Sequence, residues 1–185
     1  QIPENLWFIG TANQDETTNE LADKTHDRSF VLELPRHEER FGINRNLPAR
    51  TYSFKSLQEA FSAAQDALRK EVADLLGFVS KSELSNVLDR EFGIGWGNRF
   101  ERQALTFLPV VKACGGTFAG ALDHLLSTRL FRAGKVVGRY DISTDQLKTV
   151  EDALLQVFQE IDKSSLPIRC VSALERDHKR LERGA

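Results

Sequence analysis

The chain has 185 residues, 41% of them hydrophobic and 28% charged, with a formal net charge of −2. That length allows one large domain or two small ones, and the apolar content suffices for a buried core, so disorder is not the default expectation. The near-neutral balance lacks the global basic excess of a nucleic-acid binder, and no apolar run approaches the ~18 residues of a bilayer span.

The two cysteines, Cys114 and Cys170, have no CxxC partner, and His26, His37, His124 and His178 lie far apart in sequence. A zinc site is therefore unsupported. Isolated thiols without a signal peptide fit a reducing, cytoplasmic setting. The chain has no methionine and begins at Gln1, directly before a strand-like run, which points to a fragment of a longer protein.

In chain order, Leu6-Trp7-Phe8-Ile9 is a continuous apolar run ending at Gly10. It predicts a strand buried on both faces, as in a parallel sheet. Thr11–Thr18 is polar and reads as a loop. Asn19–Arg28 allows a short helix, and Phe30–Leu34 reads as a second strand ended by Pro35. Strand, helix and strand in this order fit the edge of an α/β sheet. Residues 36–52, rich in Arg, Pro, Asn and Glu, form a linker.

From residue 53 the pattern turns helical. Phe54, Leu57, Phe61, Ala64, Leu68, Val72 and Leu75 recur at three- and four-residue steps and give one apolar stripe. Gly77 is the expected end of that helix. Ser80–Glu83 is a helix start, with Leu84, Val87, Leu88 and Phe92 on one face. Gly93, Gly95 and Gly97 make a flexible turn around Trp96. A third helix runs from about Asn98 to Cys114, with a kink or break expected at Pro109 because an interior proline costs ~3 kcal/mol. Gly115-Gly116 stops it, leaving Cys114 as a buried helix residue. Thr117 caps the next helix, whose Leu122, Leu125, Leu126 and Leu130 point inward.

Ala133–Tyr140 reads as a short hairpin or turn. Ser143-Thr144-Asp145-Gln146 is another N-terminal cap, followed by an apolar face of Leu147, Val150, Leu154, Val157, Phe158 and Ile161. Residues 172–183 form a charged helix, either docked or solvated. The organisation is therefore a small α/β piece at 1–35, a linker at 36–52, a helical domain at 53–161 and a charged helix or tail at 162–185.

One stretch carries chemistry: Ile9-Gly10-Thr11-Ala12-Asn13, then Leu21–Phe30 with Asp23, Arg28 and Phe30. It resembles AAA+ ATPases of the McrB and MoxR kind, in which a buried strand ends in G-T-x-N. An Asp follows about ten residues later, and then an Arg close before the Phe that opens the last core strand. The Asp27-Arg28 pair looks more like MoxR than the arginine-rich McrB pattern. The resemblance covers about 35 residues closely and the helical remainder more loosely, and it does not extend to the C-terminal 25 residues. It implies a mostly α chain, with the α/β remnant of a P-loop AAA+ core followed by an all-helical lid.

Hydrolysis of a triphosphate needs a positioned water and stabilised charge on the γ-phosphate. The resemblance gives Asn13 the sensor-1 role of orienting that water. Its other reading is a loop asparagine satisfying turn backbone. Arg28 corresponds to the arginine finger, acting on nucleotide held by a neighbouring subunit. A guanidinium is a permanently charged fork donor suited to phosphate. Its other reading is a surface pair with Asp27 or Asp23, and Asp23 itself is structural. Arg99 or Arg102, opening a lid helix, corresponds to a sensor-2 arginine, against the alternative of solvated arginines near Glu101.

The weaker signals are bland. Gly93–Gly97 lacks the G-x-G-x-x-G spacing, and Asp123-His124 lacks a nucleophile and reads as a structural pair. Arg129, Arg132, Lys135 and Arg139 form a basic cluster, either solvated surface or a contact for nucleic acid or a partner subunit. No G-x-x-x-x-G-K-[ST] occurs, and no strand ends in Asp-Glu before Asn13. The resemblance therefore implies a C-terminal fragment of an ATP hydrolase, with ATP and Mg2+ ligands upstream. It further implies a ring, hexameric in such motors, with a nuclease or client protein as partner and no membrane. The alternative is a non-catalytic helical protein-interaction module.

Overall fold

Six helices make up the regular structure of the described residues, and Ser53, Thr117 and Ser143 cap three of them through their side chains. The structure, a computed structural model, describes residues 3, 5–11, 29–32, 51–95, 97–131 and 142–183. The chain divides into two compact units, Gln1–Ala60 and Phe61–Ala185. The helices are α1 (Phe54–Ser80), α2 (Glu83–Phe92), α3 (Asn98–Ala113), α4 (Phe118–Arg129), α5 (Thr144–Ile161) and α6 (Ile168–Glu182).

Within the first unit, no strand is present among the described residues. The run expected to be buried on both faces is exposed, Trp7 by 62% and Ile9 by 89%. Phe30 and Leu32, from the expected second strand, are exposed as well. A strand is stable only when a neighbour takes up its N–H and C=O groups. Here the Leu6 N–H instead closes a local turn on the Pro3 carbonyl at 3.1 Å. The helix expected at Asn19–Arg28 and the hairpin at Ala133–Tyr140 lie outside the described residues.

The long helix α1 differs from its predicted stripe in two ways. Its buried side chains are Val72, Leu76 and Val79, at the C-terminal end, while Phe61 is exposed. Phe54, Leu57, Ala64 and Leu68 are only half-buried. The helix also continues through Gly77 to Ser80. Glycine in a helix interior costs about 1 kcal/mol. Full burial of Val79 returns about 1.5–3 kcal/mol, so the helix is drawn one turn further into the core.

The helix α2 buries Leu84, Val87, Leu88 and Phe92, the face its spacing defines. It stops at Gly93, whose φ of 59° is left-handed and suits glycine. The amides of Gly93 and Ile94 return to the carbonyls of Asp89 and Leu88 at 3.0 Å each. Ile94 is thereby folded into the core.

Helix α3 runs unbroken through Pro109. The proline ring is itself buried, and that burial offsets part of the lost hydrogen bond to the Leu105 carbonyl. The helix ends one residue early, so Cys114 is an exposed turn residue rather than a buried helical one. The chain there turns back, with the Gly116 N–H on the Val111 carbonyl at 2.9 Å.

Thr117 caps α4, its hydroxyl accepting the Gly120 N–H at 3.0 Å. Helix α4 is the centre of the second unit. Residues 121–126 are all buried, and Leu122, Leu125 and Leu126 are fully so. A helix apolar almost all round is one surrounded by others, and α4 packs against α3 and α6. The helix α5 packs against α2 and α6. The charged C-terminal helix is thus docked, burying Cys170, Ala173, Leu174 and Asp177. No helix among the described residues is long and apolar enough to cross a membrane.

Candidate functional site

Gly97 opens α3 with extended backbone (φ −90°, ψ 154°) and no side-chain cap. Phe100, Ala104 and Leu108 anchor the helix in the core. That anchoring fixes where its polar face points. Arg99 and Arg102, three residues apart, therefore share one side of the first turn, and both are exposed. A helix start with two guanidiniums favours an anion electrostatically, through the positive end of the helix dipole and the fork donors. Glu101 on the same turn acts against it. These two residues fit a phosphate-bearing ligand in charge and exposure.

Asn13, Arg28 and Asp23 lie outside the described residues. Their described neighbours Gly10, Thr11 and Phe30 are exposed. Arg99 and Arg102 belong to the second unit and Asn13 and Arg28 to the first. Among the described residues no group of three or more His, Cys, Asp or Glu side chains could hold a metal ion.

Asp123 and His124 are both buried, but they face different partners. The Asp123 carboxylate accepts the Arg169 and Cys170 amides at the start of α6, each at 3.0 Å. The His124 ring lies against Phe107 of α3, with centroids 5.6 Å apart. Both roles are structural. Burial, reinforced by the Asp123 charge, pushes the Cys170 thiol well above its ordinary range, which disfavours the thiolate, the nucleophilic form.

A second feature was not visible in the sequence. Glu71, Asp74, Leu75 and Phe78 of α1, Phe118 of α4, and Glu160 and Ile161 of α5 line an open cleft of about 470 Å3. The α1 residues fall at i, i+3, i+4 and i+7, a single helix face. Their spacing is readable, but the opposite wall comes from residues far along the chain.

No protein-family model, no curated protein and no solved structure matches the chain.

Proposed function

We propose that the chain is the C-terminal part of an AAA+ ATPase that couples ATP hydrolysis to remodelling or translocation, as a McrB-like restriction motor or a MoxR-like chaperone. The observation that carries this reading is the order Gly10, Thr11, Asn13, Asp23, Arg28 and Phe30, followed by a helical unit. In it, residues 1–35 complete an α/β core, and the two apolar runs Leu6–Ile9 and Phe30–Leu34 pair with strands supplied from upstream. The exposure of Leu6–Ile9 supports that role, since apolar residues so placed gain most from a sheet laid against them.

Asn13 orients the attacking water. Arg28 reaches nucleotide held by the next subunit of a cytoplasmic ring, probing the γ-phosphate as charge develops on it. Arg99 or Arg102 approaches the same phosphate from the lid. Bound ATP and Mg2+ supply the phosphoryl group and neutralise its charge, and the metal ligands belong to the upstream segment.

In the full-length protein, Arg28→Ala should abolish hydrolysis and leave nucleotide binding largely intact. Turnover retained in that variant removes the finger. A gene without a phosphate-binding loop upstream of Gln1 removes the ATPase reading altogether. The second reading, a non-catalytic interaction module, would then stand, favoured by the core of its own that the second unit buries.

A further inference from the structure

We propose that the cleft formed by α1, α4 and α5 is a docking site for a basic, amphipathic segment of another polypeptide. Its apolar lining is Leu75, Phe78, Phe118 and Ile161, and its carboxylates are Glu71, Asp74 and Glu160. Phe78 keeps 37% of its surface exposed although it sits on the same helix as the fully buried Val72. The volume, about 470 Å3, lies within the ~300–1,000 Å3 usual for ligand clefts.

Charge decides the kind of occupant. Three carboxylates from two helices line the cleft beside apolar side chains, and the Glu160 carboxylate accepts a neutral donor, the Gln156 amide at 3.2 Å. One cation beside the cleft, Lys112, lies over the Phe118 ring at 5.7 Å, and Asp162 also feels its charge. Lys112 shows that a cation is accepted against this aromatic wall. It leaves the charge of the lining negative. An acidic partner would be repelled, and a purely apolar one would leave three carboxylates partly desolvated without counter-charges. A segment presenting Arg or Lys beside Leu or Phe satisfies both surfaces. The cleft stands whether or not the chain belongs to an ATPase.

The test uses a fluorescent synthetic helical peptide with an apolar Leu/Phe stripe flanked by arginines, and a twin with glutamates for the arginines. Binding to the whole 185-residue chain is followed by anisotropy. The basic peptide is expected to bind, and the acidic twin not to. The triple variant Glu71→Gln, Asp74→Asn, Glu160→Gln should weaken binding by about tenfold or more, with an unchanged circular-dichroism melt as the control for folding. Phe78→Ser should weaken it separately, through the apolar side.

Equal binding of both peptides, no binding of either, or a basic peptide indifferent to the triple variant would overturn the proposal. So would sedimentation showing a dimer of the chain that the triple variant dissolves, since the occupant would then be a second copy. A gain of peptide affinity on changing Arg132, Lys135 and Arg139 to Gln would overturn it in favour of the chain's own basic segment.

Discussion

Asp123 of α4 holds the amide of Cys170 in α6: its Oδ1 accepts that N–H at 3.0 Å, and its Oδ2 accepts the Arg169 N–H at the same distance. A helix normally satisfies its first amides with its own N-cap side chain. Here the N-cap position is Pro167, which makes no side-chain cap hydrogen bond, and a carboxylate 46 residues away in sequence takes its place. The Cys170 thiol returns a hydrogen bond to the Asp123 carbonyl at 3.4 Å. Asp123→Ala would strand two amides at a buried interface and remove a charge from the positive end of the helix, a loss of about 3 kcal/mol. Asp123→Asn keeps one acceptor and should cost less. Urea unfolding followed by circular dichroism checks both, and an alanine variant within about 0.5 kcal/mol of wild type would show that the cap does not hold α6.

The two thiols should separate cleanly under a disulfide reagent such as DTNB. Cys114 is exposed on the turn after α3, whereas Cys170 is fully buried. Burial holds the Cys170 proton on, and the thiolate is the reactive form. One equivalent should therefore react at once in native buffer and the second only as denaturant opens the second unit. In Cys114→Ser the fast phase should vanish. Two fast equivalents in native buffer would contradict the docking of α6.

These features differ in how far the sequence disclosed them. The Ser143/Gln146 cap, the Thr117 cap and the Leu84–Phe92 face depend on residues within one or two turns, so their spacing alone defines them. The buried face of α1 depends on which neighbours it meets. Its stripe is continuous in sequence, yet Val72, Leu76 and Val79 are buried while Phe61 is not. Gly77 and Pro109 likewise are breakers only until burial of their surroundings outweighs their local cost. Asp123 on Cys170, and Phe118 lining the same cleft as Phe78, are long-range juxtapositions with no local signature. The two arginines of the first turn of α3 are readable in the sequence because a charge pattern three residues apart is local.

Gln146 ties the start of α5 to the end of α2. Its backbone N–H donates to the Ser143 hydroxyl at 3.2 Å, and its side-chain oxygen accepts the Ser143 N–H at 2.9 Å, the two halves of a capping box. Its side-chain amide then donates to Glu91 at 2.9 Å, on the oxygen that Arg90 does not use. Those two hydrogen bonds, Arg90 first and Gln146 second, draw the Glu91 carboxyl below its ordinary range. Gln146→Ala removes the side-chain hydrogen bonds to Ser143 and Glu91 and should lose about 1 kcal/mol. Gln146→Glu would preserve the box but set a carboxylate against Glu91, so it should be the less stable of the two near neutral pH and recover at pH 4, where carboxylates begin to protonate. Thermal melts at the two pH values decide it. A glutamate variant as stable as wild type at pH 7 would show that the tie to Glu91 contributes nothing.

Asp162, just past α5, accepts the Ser164 N–H at 3.0 Å and the hydroxyls of Ser164 and Ser165 at 2.7 Å each. The Ser165 hydroxyl first, and then Ser164, hold its carboxyl at about 2, below the ordinary 3.8. A carboxyl whose pKa is lower folded than unfolded stabilises the fold above the unfolded value, and that contribution fades as pH falls toward the folded one. The window is therefore roughly pH 4 down to pH 2. Asp162→Asn should flatten this part of the acid limb, and Ser164→Ala with Ser165→Ala should flatten it without removing the carboxyl. Melting temperatures measured through that window check the assignment. An unchanged slope in both variants would rule the turn out as an acid-sensitive element.

Arg99 and Arg102 occupy the same turn of α3 and are both exposed, and the proposed ATPase reading assigns one of them to a phosphate. Phe100 is anchored in the core between them, so a substitution at either exposed arginine should leave the helix in place. The proposed ATPase role thus separates from a structural one by what is lost. In the full-length protein, alanine at the phosphate-facing arginine should reduce turnover by about 100-fold. Stability, read from thermal unfolding, should change by no more than a surface substitution allows, about 0.5 kcal/mol. Lysine at that position keeps a charge but not the planar fork and should restore only part of the rate. The other arginine should tolerate alanine in both measurements. If neither substitution alters turnover, the start of α3 has no part in reading the nucleotide.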